Sequence, residues 1–328
     1  MKFAELNKTE RPGLSGAAQS GSQITPECAR RVGVEIEFGG LTALQAAEFI
    51  RADLGGSIEK KDSHRYRLTG TELGDLTVEL DSKYVHSEDD ASDLERKVRS
   101  LAGDMTGSIV PTELVTDPLP VSRIADIDAL LDRLVAAGAL GTQHLHLACG
   151  LHLNVEWTGR EVLPILRILQ AYLISAPDLR REIAPDRVRT LLPFIGRFPQ
   201  DYEARILDPD YQPDFARFAA DYCRANPSKN RELDLLPLLA SIDEGAVADA
   251  LGHPPEAVRP AFHYRLPNAS LGARNWSIEK EWDRWLSVEA LAADEDRLAA
   301  ALSARQERQR APESGGTLTQ ILNRVIGK

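Results

Sequence analysis

The chain has 328 residues and a formal charge of −11, with 39 Lys and Arg set against 50 Asp and Glu. A balance this acidic excludes a nucleic-acid backbone or an anionic membrane surface as the main partner, because both demand a basic face. Cys28, Cys149 and Cys223 stand far apart in no CxxC pair, which excludes a disulfide framework and a zinc ribbon.

Residues 1–28 are polar, carry Gly, Ser and Pro, and show no period, so they read as a flexible N-terminal arm. They lack the apolar centre of a signal peptide, and no apolar run nears the roughly 20 residues that span a bilayer. The expectation is a cytoplasmic protein. "RRVGVEIEFGG" (30–40) then alternates, with Val32, Val34, Ile36 and Phe38 on one side and Gly33, Glu35, Glu37 and Gly39 on the other. A helix with a Gly55-Gly56 stop follows over 41–56, then strands at "HRYRLTG" and "DLTVELD" (75–81), a helix over 92–103, and an extended "SIVPTELVT" (108–116). "RIADIDALLDRLVAAGALG" (123–141) predicts an amphipathic helix, and "HLHLACGLHLNVEW" (144–157) a long strand broken at Gly150.

The second half is more helical, over 159–176, 215–225 and 232–242, with one late strand, "FHYRLPN" (262–268). The stretch from 275 to 310 reads as one long charged helix in which Trp276, Trp282 and Trp285 are packing residues. "APESGG" and "TLTQILNRVIGK" predict a linker and a short terminal helix suited to docking on a second copy, in a homo-oligomer. The expected organisation is the arm, a catalytic domain over 29–300, and a tail over 301–328.

The opening strand poses a question, since sheets disfavour Glu and two like charges about 6.5 Å apart on one face repel. One answer is a solvated face. The alternative is a cation, and later strands favour it: Thr77, Glu79 and Asp81 share a face, as do His152, Asn154 and Glu156 with His144 and His146 upstream, and His263 with Arg265, while Glu113 sits in "TELV". A solvated face is usually mixed, whereas this one collects carboxylates and imidazoles with almost no Lys. Hard oxygen donors with a few His suit Mg²⁺ or Mn²⁺. GxxxxGK[ST], GxGxxG after a strand, and HExxH are all absent. A nucleotide would therefore bind through its metal ions, with Arg265, Arg231 and Arg274 available for phosphoryl oxygens.

The ordered set GVEIEF, VELDS, TELVT-x-P-L, CGLHLNV and HYRLPN, spread over roughly residues 30 to 290, resembles the putative amidoligase family. These are carboxylate-amine ligases akin to glutamine synthetase and γ-glutamylcysteine synthetase. The resemblance implies an α+β fold: a curved, mostly antiparallel sheet like the glutamine synthetase catalytic domain, with helices on its convex face, and ATP with two or three Mg²⁺ or Mn²⁺ ions on the concave one. Carried over by residue, it implies metal ligation by Glu35, Glu37, Asp81, Glu113, His152 and His263. It also implies phosphate contacts from Arg265 and, by a looser match, Arg231. Two departures stand out: His263 occupies the place of the family's Glu in "EFR", and Asn154 that of a second strand histidine.

The implied reaction is ATP-dependent amide formation through an acyl phosphate, joining a small-molecule or peptide carboxylate to an amine. Arg265 would steady the transferring phosphoryl group and Glu79 would take the ammonium proton. Alternatives are a metal-dependent phosphohydrolase and a non-catalytic nucleotide- or peptide-binding relative. The substrate-facing loops carry no readable code for either reactant.

Overall fold

The computed structural model describes residues 30–80, 111–145, 149–191 and 195–310. Nine strands among them form one open, antiparallel sheet: β1 (Arg31–Phe38), β2 (Ser57–Lys60), β3 (Arg65–Thr71), β4 (Gly74–Leu80), β5 (Thr112–Thr116), β6 (Leu119–Pro120), β7 (Leu151–Glu156), β8 (Leu233–Asp234) and β9 (Ala261–Tyr264). Their order across the sheet is β2-β3-β4-β5-β1-β7-β9-β8, with β6 beside the start of β1. The fold is thus α+β with β1 central.

Period-two alternation gives the sheet two unlike faces. Val32, Val34, Ile36, Phe38, Leu68, Leu76, Val78, Leu114, Leu151, Leu153, Val155 and Phe262 are buried on one of them. Helices cover that face. Ala43–Leu54 packs on β3 and β4, Tyr172 of Val162–Ile183 meets Tyr264, and Trp285 of Ile278–Ala293 lies against Phe262 and Tyr264. Val162–Ile183 is long and apolar enough to cross a membrane, but its Ile165, Leu169, Ala171 and Tyr172 sit in the common core. The helix also runs past residue 176, where the sequence reading ended it, because Pro177 is accommodated inside it.

Local chemistry explains the element ends. Thr42 and Gln45 form a reciprocal capping box at the start of Ala43–Leu54, and Gly55, at φ 75°, ends it by donating its N–H to the Arg51 carbonyl. The charged stretch after Ser277 is two helices, Ile278–Ala293 and Glu295–Arg310. Asp294 breaks them because its extended backbone and its carboxylate cap the second helix, accepting from Arg297 N–H at 3.0 Å. That second helix runs through residue 300, where the sequence placed the start of the tail, and Trp282 and Trp285 are packing residues as expected.

Residues 142–145 are a helical turn, not strand, because Thr142 Oγ1 donates across the turn to the carbonyls of Cys149 and Ala269. His144 therefore lies outside β7, and His146 lies outside the described residues. The helix expected over 92–103 and the terminal helix also fall outside them, as does Asp81.

Candidate active site on the polar face

The register aligns the carboxylates in a row. Glu37 of β1 stands opposite Glu113 of β5, and Glu113 opposite Glu79 of β4. On the other side of β1, Glu35 pairs with His152 of β7, while Asn154 faces His263 of β9 and His263 faces Asp234 of β8. Like charges directly opposite one another destabilise a sheet, so this row is assembled against its own repulsion.

Glu35 is held by four side chains. Oε1 accepts from Asn154 Nδ2 at 2.8 Å and Arg259 Nη1 at 3.1 Å, and Oε2 meets His152 Nδ1 at 3.0 Å and His263 Nε2 at 3.5 Å. Burial alone would push its carboxyl up, but His263 and His152 more than offset that and hold it well below the usual carboxylate range. An ionised carboxylate only accepts, so His152 Nδ1 is the donor of that pair and its Nε2 is turned toward Glu37 Oε1, 4.0 Å away.

Glu37 is buried and its Oε2 accepts from the Gly150 N–H at 2.7 Å. Gly150 is required there: a Cβ would lie 2.7 Å from Arg189 Nη2 and 3.1 Å from His152 Nε2. Arg189 is itself buried and donates to the carbonyls of Arg265, Leu266 and Pro267 and to Asn268 Oδ1. Burial lowers it to about 10, which leaves it charged at neutral pH. It holds the chain just beyond β9, where Pro267 has no N–H for the ladder, and so fixes the backbone that carries Arg265.

Arg265 is 1% exposed. Its Nη1 donates to the Lys229 carbonyl at 3.0 Å, whereas Nε and Nη2 are buried with no hydrogen-bond partner among the described residues. It lines one pocket with Glu35, Glu113, His152, Asp234, Arg259 and His263. A Lys229–Glu256 ion pair of 2.7 Å ties two loops at the rim of that pocket.

Of the residues expected from sequence, the fold brings together Glu35, Glu37, Glu113, His152, His263 and Arg265. Two triads have donor atoms within 4.8 Å of one another: Glu35, His152 and His263, and Glu37, Glu113 and His152. Glu79 is at the edge of the row in an ion pair with Arg65. Two expected phosphate contacts are placed elsewhere. The guanidinium of Arg231 is consumed in capping helix Phe215–Ala225, donating to Asn226 Oδ1 and to the carbonyls of Ala225 and Arg197. Arg274 is exposed beside a separate hollow with Asp128 and Trp276.

Sequence reasoning missed Asp234, Arg189 and Arg259. Asp234 lay hidden in a stretch read as helix. Arg259 has the parity of His263 and Arg265, but Pro260 argues against carrying the strand pattern upstream.

The Glu37, Glu113 and His152 donors fit a hard divalent cation: two carboxylates and one imidazole, buried, with a spacing of 4.0 Å that two ligands sharing an ion at about 2.1 Å each can span. No curated protein and no solved structure matches the chain. The family model described as "Putative amidoligase enzyme" matches residues 28–287, and the chain belongs to that family.

Proposed function

We propose that this protein is an ATP-dependent ligase that joins a carboxylate to an amine. The observation that carries the reading is Arg265, a buried guanidinium with two nitrogens lacking partners among the described residues, set beside buried carboxylates and imidazoles in one pocket. Leaving such donors dry costs about 1 to 3 kcal/mol each. An anionic ligand removes that cost. A phosphoryl group answers both halves of the pocket, offering oxygens to Arg265 and to a cation held by Glu37, Glu113 and His152. Membership of the amidoligase family supports amide formation as the outcome.

A divalent cation bound there would neutralise polyphosphate oxygens. The chain's residues do the rest by position. Arg265 offers a fork of donors to the γ-phosphoryl oxygens while a substrate carboxylate oxygen forms its bond to the γ-phosphorus and the bond to ADP breaks. An amine then attacks the acyl carbon, sheds a proton, and phosphate leaves. Small-molecule or peptide reactants are both accommodated by this chemistry.

The test is ADP release from ATP with carboxylate and amine pools supplied together and separately. Release that requires both, with a product lighter by one water than their sum, supports the ligase. Release without any amine assigns a phosphohydrolase, and nucleotide binding without release assigns a non-catalytic relative.

A further inference from the structure

Glu35 and Glu37 leave the same face of β1, yet their surroundings differ in kind. Among its contacts, Glu37 takes a backbone N–H on Oε2 and has Oε1 4.0 Å from His152 Nε2. Glu35 gives both oxygens to side-chain donors, among them the full positive charge of Arg259 at 3.1 Å. A carboxylate has about four acceptor directions, and here Asn154, Arg259 and His152 are hydrogen-bonded to three of them, with His263 Nε2 3.5 Å from Oε2. An ion would have to sit about 2.1 Å from the same oxygens, in space the guanidinium hydrogens occupy and against its charge. The Arg259 backbone is anchored immediately before β9, where its N–H donates to the Pro237 carbonyl at 3.1 Å, and its half-exposed side chain reaches Glu35 from the rim of the pocket.

We propose that Arg259 stands where a second divalent cation would otherwise sit, so that the chain holds a single ion, on Glu37, Glu113 and His152 Nε2. Glu35 is then a positioning residue. Its carboxylate takes the His152 Nδ1–H, fixing the tautomer that aims Nε2 at the ion, as carboxylates behind metal-bound imidazoles do. Asn154 and His263, opposite each other on β7 and β9, complete the same cage around Glu35. The buried Arg265 Nε and Nη2, without hydrogen-bond partners among the described residues, point independently to an anionic ligand in this pocket.

The inference rests on the cation reading above, and a count of bound ions separates the two. Mn²⁺ is titrated without nucleotide and the free ion is followed by its paramagnetic resonance. The expected result is one Mn²⁺ per chain for the wild type, none for Glu37→Gln, one for Glu35→Gln with about 10- to 100-fold weaker affinity, and two for Arg259→Ala. If Arg259→Ala does not fold, Arg259→Gln, which keeps a hydrogen bond and removes the charge, is expected to bind two as well. Two ions on the wild type, or one on the folded Arg259 variant, would overturn the role of Arg259 while leaving the cation reading intact. No ion on the wild type would overturn both.

Discussion

Arg265 and Glu37 make separable demands on the chemistry. Arg265→Lys keeps the charge and loses the planar fork, so the maximal rate of ADP formation is expected to fall about 100-fold with little change in ATP affinity. A parallel loss of affinity and kcat/KM at unchanged maximal rate would make Arg265 a ground-state anchor instead. Glu37→Gln removes an ion ligand and is expected to abolish ATP turnover. The folded protein without metal should be as stable or more so, because one of three carboxylates in a cross-strand row loses its charge. Thermal unfolding of the metal-free variant checks this, and a lower midpoint than wild type contradicts the repulsion argument.

The strands around β1 owe their convergence to two contacts that alternation does not encode. Gly150 lets Arg189 and His152 approach where a methyl would clash, and Gly150→Ala is expected to cost about 1 to 3 kcal/mol in urea unfolding and to weaken Mn²⁺ binding. If the variant kept wild-type Mn²⁺ affinity, the close approach would be irrelevant to the site. Period two was sufficient to read β1, β3, β4 and β7 and to place Glu35, Glu37, Glu113 and His152 on one face, because a half-buried antiparallel strand writes its two sides into the sequence. It did not reveal pairing order, so the opposition of Asn154 to His263 was invisible. Nor did it find Arg259, Asp234 or Arg189, whose places depend on loops and tertiary contacts. Period two is equally silent on Arg231: whether a basic residue before an apolar run caps a helix or faces a ligand is decided by where the preceding helix ends.

Across the whole molecule the alkaline side of stability is set by buried acids. Burial pushes the Cys223 thiol from 9.0 up to about 11, and burial likewise raises Tyr172, Tyr202, Tyr222 and Tyr264 well above the usual phenol range. A raised folded-state pKa means stability that is complete below the unfolded value and lost as pH climbs through the folded one. The urea midpoint is therefore expected to hold up to pH 9 and fall from there to 11, Cys223 accounting for about 3 kcal/mol at most. A Cys223→Ser variant with an unchanged alkaline limb would remove the thiol from that account. The fold joins this apolar face to a polar one that gathers carboxylates, imidazoles and Arg265 into a single pocket, and the claim that this pocket makes amides stands or falls on ADP release. Release from ATP is expected to need a divalent cation, a carboxylate and an amine together and to vanish in Glu37→Gln. Release at the same rate with the amine left out would contradict it.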